Sequence, residues 1–154
     1  MANIYDKILR DARVKLNEMF KNNFREQGFF GNKWVATKTS KLNRRGQGSI
    51  LVVTGAMRRS IVASVEGLSV VFSSNLPYTA LHNEGGSFAV TVRQHSRRSS
   101  KGNTYTVRQH SRQMSMPQRQ FIGDHPKVQE ALADIVAKNL QDFSQQLANQ
   151  FNRR

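Results

Sequence analysis

The chain has no cysteine, so no disulfide braces it and no thiolate serves as nucleophile or metal ligand. No apolar run approaches the roughly 20 residues of a membrane-spanning helix. The first residues, Met1 to Lys7, lack the basic-then-apolar layout of a signal peptide. These absences predict a protein that is neither exported nor inserted in a membrane. Acid is scarce too: 10 Asp and Glu stand against 24 Lys and Arg, a formal net charge of +14. With few carboxylates, mostly on expected terminal helices, a paired-carboxylate acid/base device finds no support. The histidines, His82, His95, His110 and His125, are 13, 15 and 15 residues apart, which matches no metal-ligand spacing. No Gly-x-Ser-x-Gly elbow occurs. Gly85-Gly86 is not followed by the Gly-Lys-Ser/Thr of a phosphate loop. The expectation is a protein that is not an enzyme, without cofactor or metal.

What is abundant is positive charge in two blocks. Between Glu26 and Glu66 lie Lys33, Lys38, Lys41, Arg44, Arg45, Arg58 and Arg59, with no acid among them. Between Glu84 and Asp124 lie Arg93, Arg97, Arg98, Lys101, Arg108, Arg112 and Arg119, again with no acid. Charge so confined favours a polyanion or an acidic protein surface as neighbour over a merely solvated exterior.

A chain of 154 residues is read as one domain able to bury a real core. Residues 3 to 25 carry Ile4, Ile8, Ala12, Leu16, Phe20 and Phe24 at four-residue intervals, with Leu9 and Met19 beside them. That spacing predicts an amphipathic helix, capped by Asn3 and ended by Gln27-Gly28. The aromatic cluster Phe29, Phe30 and Trp34 follows. Residues 35–49, polar and basic, read as a mobile loop. Ile50 to Val53 is a short β-type run, and Ala56 to Ile61 is either a helical turn or a strand entry. Ser60 to Val65 and Leu68 to Ser73 read as strands around a Glu66-Gly67 turn, closed off by Pro77. Tyr78 to Asn83 is a short helical or turn segment ending at Gly85-Gly86. From Val128 to Phe151 a second amphipathic helix is expected, with the stripe Val128, Leu132, Ile135 or Val136, Leu140 or Phe143, Leu147 and Phe151. Asp124 is its expected cap, and Pro126 is tolerated in its first turn. The fold class is therefore α+β: a small antiparallel sheet flanked by N- and C-terminal helices.

One heptapeptide occurs twice. Thr91-Val92-Arg93-Gln94-His95-Ser96-Arg97 recurs unchanged as Thr106-Val107-Arg108-Gln109-His110-Ser111-Arg112. Two copies are too few for a solenoid. With the turn-like Arg98 to Asn103 between them, residues 88–113 read as a protruding basic β-hairpin arm. Alternation puts Thr, Arg, His and Arg of each copy on one cationic face. A six-residue loop closing on Arg97 and Thr104 sets Arg93 opposite Arg108, which repels. A four-residue turn, Ser100 to Asn103, pairs Arg93 with His110 and His95 with Arg108, and is preferred.

Three further blocks appear in fixed order: Thr54-Gly55-Ala56-Met57-Arg58-Arg59-Ser60-Ile61, Tyr78-Thr79-Ala80-Leu81-His82-Asn83-Glu84-Gly85-Gly86, and Met116-Pro117-Gln118-Arg119-Gln120-Phe121-Ile122-Gly123. Gly31-Asn32-Lys33-Trp34-Val35-Ala36-Thr37 precedes them. Together they resemble the tail-completion, or virion-morphogenesis, family of tailed bacteriophages, over roughly positions 30 to 150. The resemblance implies a structural virion protein forming a ring, commonly a hexamer, at the head-proximal end of the tail or in the neck. Such a protein completes the tail and joins it to the head around the DNA channel. It implies connector, stopper and tail-tube proteins as partners and assembly in the host cytoplasm; the charge of 88–113 adds the expectation that this arm faces either the channel DNA or an acidic partner ring. The charge alone also fits a nucleic-acid-binding protein that uses 88–113 as a β-ribbon.

Within the blocks, Gly55 permits a bend before the arginines, and Tyr78, Leu81 and His82 are expected beneath the sheet. Gly85-Gly86 allows positive φ. Arg119 makes either an intrachain ion pair or a contact with a neighbour's carboxylate or helix C-terminus. The candidate partner or DNA contacts are Lys41, Arg44, Arg45, Arg58, Arg59, Arg93, Arg97, Arg98, Lys101, Arg108, Arg112 and Arg119.

Overall fold

The computed structural model of the chain describes residues 3–36, 50–52 and 54–152. Beyond Ala36, the loop expected over 35–49 lies outside the described residues, and Lys38, Lys41, Arg44 and Arg45 lie outside with it.

Helix α1 runs Ile4–Glu26, and the Asn3 side chain accepts from the Tyr5 amide at its start. Ala12, Leu16, Phe20 and Phe24 are buried along one stripe, as the four-residue period requires. Gln27 ends the helix in the left-handed conformation, φ 56°. Two short strands follow, β1 (Gly28–Phe29) and β2 (Asn32–Lys33), paired antiparallel. The apolar run after the undescribed segment is not a strand. Ile50 to Val52 form a turn, with Leu51 at φ 62°, and Val53 lies outside the described residues. The Ile50 amide donates to the Gln27 carboxamide oxygen, so this donor is not free for a strand ladder.

Helix α2 (Ala56–Ser60) settles the Ala56 to Ile61 alternative as a helical turn. Strands β3 (Val62–Glu66) and β4 (Ser69–Ser73) pair from Val62↔Ser73 to Glu66↔Ser69. The turn is therefore Gly67-Leu68, one residue later than expected. Gly67 carries the positive φ of 59°, which decides the position of a two-residue hairpin loop. Helix α3 (Thr79–Glu84) comes next. Strand β5 (Gly86–Val92) pairs with β8 (His110–Met116), and β6 (His95–Arg98) with β7 (Thr104–Val107). The strands thus form four separate two-stranded antiparallel ladders rather than one sheet.

Helix α4 spans Pro126–Phe151. Its cap is not Asp124 but His125, whose Nδ1 accepts from the Lys127 amide at 3.2 Å. Asp124 instead accepts from the Gln129 side chain. Stacking of the His125 ring on Phe30, centroids 4.6 Å apart, holds the imidazole in the capping position. α4 lies antiparallel on α1: Lys7 pairs with Asp142 at 2.9 Å, and Asn139 donates to Asp11.

The core has two adjoining clusters. Phe24, Trp34, Met57, Ile61 and Phe121 make one, and Leu16, Phe20, Phe29 and Val128 make the other. Phe72 and Ile122 pack against both. The C-terminal helix departs from expectation. Val128 is buried, yet Val136, Leu140, Phe143, Leu147 and Phe151 are 38, 51, 43, 39 and 75% exposed. α1 runs beside α4 as far as Asp142, along the flank of Ile135, Asn139 and Asp142, and leaves these five side chains uncovered.

Candidate interaction surfaces

The three sequence blocks converge on residues 118–122. Gly55, at φ 67°, starts α2, and that short helix delivers Met57 and Ile61 to Phe121 in the core. From the second block, Asn83 Oδ1 accepts from the amides of Phe121 and Ile122, both at 3.0 Å. The His82 carbonyl accepts from the Arg119 amide at 2.8 Å. Gly85, at φ 71°, lies so close to the third block that a Cβ there would sit 2.7 Å from the Gln118 nitrogen. Trp34 Nε1 donates to the Gln120 carbonyl at 2.7 Å. Asn23, 2% exposed, donates to the Phe121 carbonyl and accepts from the Phe30 amide. The blocks are thus a scaffold: they fasten the irregular segment 118–122 across the core and hold both ends of the hairpin that leaves it at Gly86 and returns at Met116. Sequence reading missed Asn23 and Asn83. Nothing local marks a side-chain bond to a backbone 98 or 38 residues away.

Tyr78 is 42% exposed rather than tucked beneath a sheet. Arg119 is 4% exposed, and it makes no ion pair among the described residues. Its Nη1 reaches only the Met116 sulfur, at 3.5 Å, and its Nε has no partner. Burial lowers the guanidinium's pKa from its ordinary value. Burial, and after it the nearby Arg119 charge, likewise hold the His82 imidazole below its usual value, and His82 Nδ1 is buried without a partner.

The hairpin carries the other candidate contacts. Arg93, Arg97, Arg98, Lys101, Arg108 and Arg112 are all exposed. The register is neither of the two considered from sequence. Arg98 pairs with Thr104 across a five-residue loop, Ser99 to Asn103. That loop is closed by Ser99 N to Asn103 O at 2.8 Å and Gly102 N to Ser99 O at 3.0 Å. A shift of one residue exchanges the faces of a strand, and here it sets His95 opposite Val107 and Arg97 opposite Tyr105. No arginine faces another.

The two heptapeptide copies pair with each other. Thr91↔Ser111 and Val92↔His110 in one ladder correspond to Thr106↔Ser96 and Val107↔His95 in the other. Both copies break the ladder at Arg-Gln, where His95 Nδ1 meets the Arg93 carbonyl and His110 Nδ1 the Arg108 carbonyl, each at 2.9 Å. The break interrupts the alternation that was to unite Thr, Arg, His and Arg on one face. Within the inner ladder, Arg112 and His110 share a face with Phe88, Val90 and Val92.

Arg58 and Arg59 join cations that the sequence reading did not connect to them. Arg58 lines an open groove with Lys15, Lys21 and Arg25 of α1, where Glu18 is the one acid. Arg59 lines a second groove with Arg13, Val14, Lys21 and Val62. Lys21 borders both. Among the described residues no group of three or more His, Asp or Glu is placed to hold a metal ion. No described helix is long and apolar enough to cross a membrane.

The fold packs two long helices against each other, spends its sequence blocks on scaffolding and exposes the cations of its hairpin. The chain belongs to the phage virion morphogenesis family, whose sequence model matches residues 5–141. The family gives it a structural or assembly role in the phage virion. No curated protein and no solved structure matches it.

Proposed function

We propose that this protein forms a closed hexameric ring at the head-proximal end of the tail or in the neck, completing the tail and joining it to the head around the DNA channel. The family match over 5–141 carries this reading. Connector or stopper and tail-tube proteins are its neighbours. The exposed cations of the hairpin support contact with channel DNA or with an acidic partner ring, because a row of unpaired arginines gains most from a dense negative surface. Arg119, buried without a carboxylate, suits an acidic group brought by a neighbouring subunit. The position is virion neck or tail, and assembly takes place in the host cytoplasm.

Disrupting the gene tests this. DNA-filled heads beside unjoined tails, or tails of abnormal length, are expected. Failure of early replication or transcription with normal assembly would favour the second reading, a nucleic-acid-binding protein working through the 88–113 ribbon. The exposed charge of that hairpin is the observation on that side.

A further inference from the structure

We propose that the outer stripe of α4 is a self-association surface, on which α4 of a second copy of this chain lies antiparallel. The stripe is Val136, Leu140, Phe143, Leu147 and Phe151, all exposed. Their steps of four, three, four and four residues follow the seam spacing by which one helix packs its side chains between those of another. The stripe extends about 22 Å at 1.5 Å per residue.

Charge selects the occupant. With a formal net charge of +14, two copies repel almost wherever they meet. Over the stripe itself, residues 136–151, the charged residues are Lys138 and Asp142, which cancel; Asp142 is held by Lys7 of its own chain, and Arg10 of α1 borders Phe143. This is the surface on which like-charged copies approach at least cost. A polyanion finds fewer cations there than on the hairpin, which carries Arg93, Arg97, Arg98, Lys101, Arg108 and Arg112. An antiparallel arrangement opposes the two helix dipoles and satisfies the spacing: Leu140 lies opposite Leu147, Val136 opposite Phe151, and the two Phe143 rings meet near the twofold axis. The contact is small beside the roughly 800 Å² per partner of a standard interface, so an affinity on the order of micromolar is expected.

The ring reading also takes a second copy as partner, but a twofold seam is isologous and a cyclic ring's contacts are heterologous, so the seam is a separate contact with a separate test. Sedimentation equilibrium across a concentration series reads the association. Wild type is expected to move from monomer towards dimer or larger, while Leu140→Gln/Leu147→Gln associates roughly tenfold more weakly or worse with an unchanged melting temperature. Because the chain lacks cysteine, single substitutions serve as reporters under oxidised glutathione. Phe143→Cys is expected to form a disulfide-linked dimer, and Phe151→Cys, far from its counterpart, is not. The proposal is overturned by a wild-type protein monomeric throughout, including one that instead sediments with lipid vesicles. It is overturned equally by a double variant that associates like wild type, or by cross-linking at Phe151→Cys as efficient as at Phe143→Cys. A self-associating protein absent from particles defeats the ring reading and leaves the seam standing. A monomeric protein incorporated into particles does the reverse.

Discussion

Asn83 Oδ1 accepts from two successive backbone amides, those of Phe121 and Ile122. Replacing Asn83 with Leu leaves both donors unpaired beside the core, at a cost of about 2–4 kcal/mol. Asn83→Asp keeps the acceptor and is expected to retain most of the stability. Urea denaturation of the two variants checks this, and equal losses would show that the acceptor oxygen, which Asp preserves, is not what stabilises the segment. His82 supplies a pH signature. Its imidazole is held below the ordinary value of 6.5, first by burial and then by Arg119. The unfolded chain therefore binds the proton more readily than the folded one, and stability is fully present above that value and declines as pH falls through it. His82→Gln is expected to flatten this part of the stability–pH curve. Parallel curves for wild type and variant from pH about 8 to about 5 would assign the dependence elsewhere.

At the scale of elements, α1 was legible because every signal for it is local: an Asn cap, a four-residue apolar period and a left-handed exit at Gln27. The hairpin was legible in existence but not in register. The sequence offered an even-numbered loop either way, whereas the break at Arg93-Gln94 and Arg108-Gln109 and the hydrogen bonds closing Ser99 to Asn103 select five. For α4 the apolar period was legible, yet a period cannot say whose surface covers it, and α1 covers only part. The meeting of the three blocks was invisible for a similar reason, since it depends on Asn23, Trp34 and Asn83 reaching across the fold. Because the two heptapeptides occupy matched settings, His95→Ala and His110→Ala are expected to shift the amide resonances of their own copies alike. Different patterns would mean that the copies are not equivalent in solution. Replacing Arg93, Arg97, Arg108 and Arg112 with Ser should leave stability within about 1 kcal/mol, as for other exposed positions. If the hairpin meets DNA, each lost phosphate contact lowers the slope of log affinity against log salt by about 0.9. A quadruple variant that unfolds would place these side chains in the fold's own support, and an unchanged slope with full infectivity would leave them without a role in assembly.

Across the whole molecule, attraction between charges contributes little to the fold. Among the described residues one ion pair, Lys7–Asp142, joins α1 to α4, and its side chains are 45 and 41% exposed. Lys7 keeps the Asp142 carboxyl below its usual value, but a pair so open to water is readily screened. What remains is the mutual repulsion of an excess of cations, which salt relieves. Added salt is therefore expected to raise the melting temperature while weakening attachment to any acidic surface. Calorimetry and a binding titration over one salt series would read the two trends, and melting that falls with salt would reveal attractive pairs not accounted for. Opposite responses give ionic strength a selective action on this protein. If an acidic neighbour holds the subunit, a rise in salt is expected to detach it while leaving it folded, so that a misplaced copy could be released and used again.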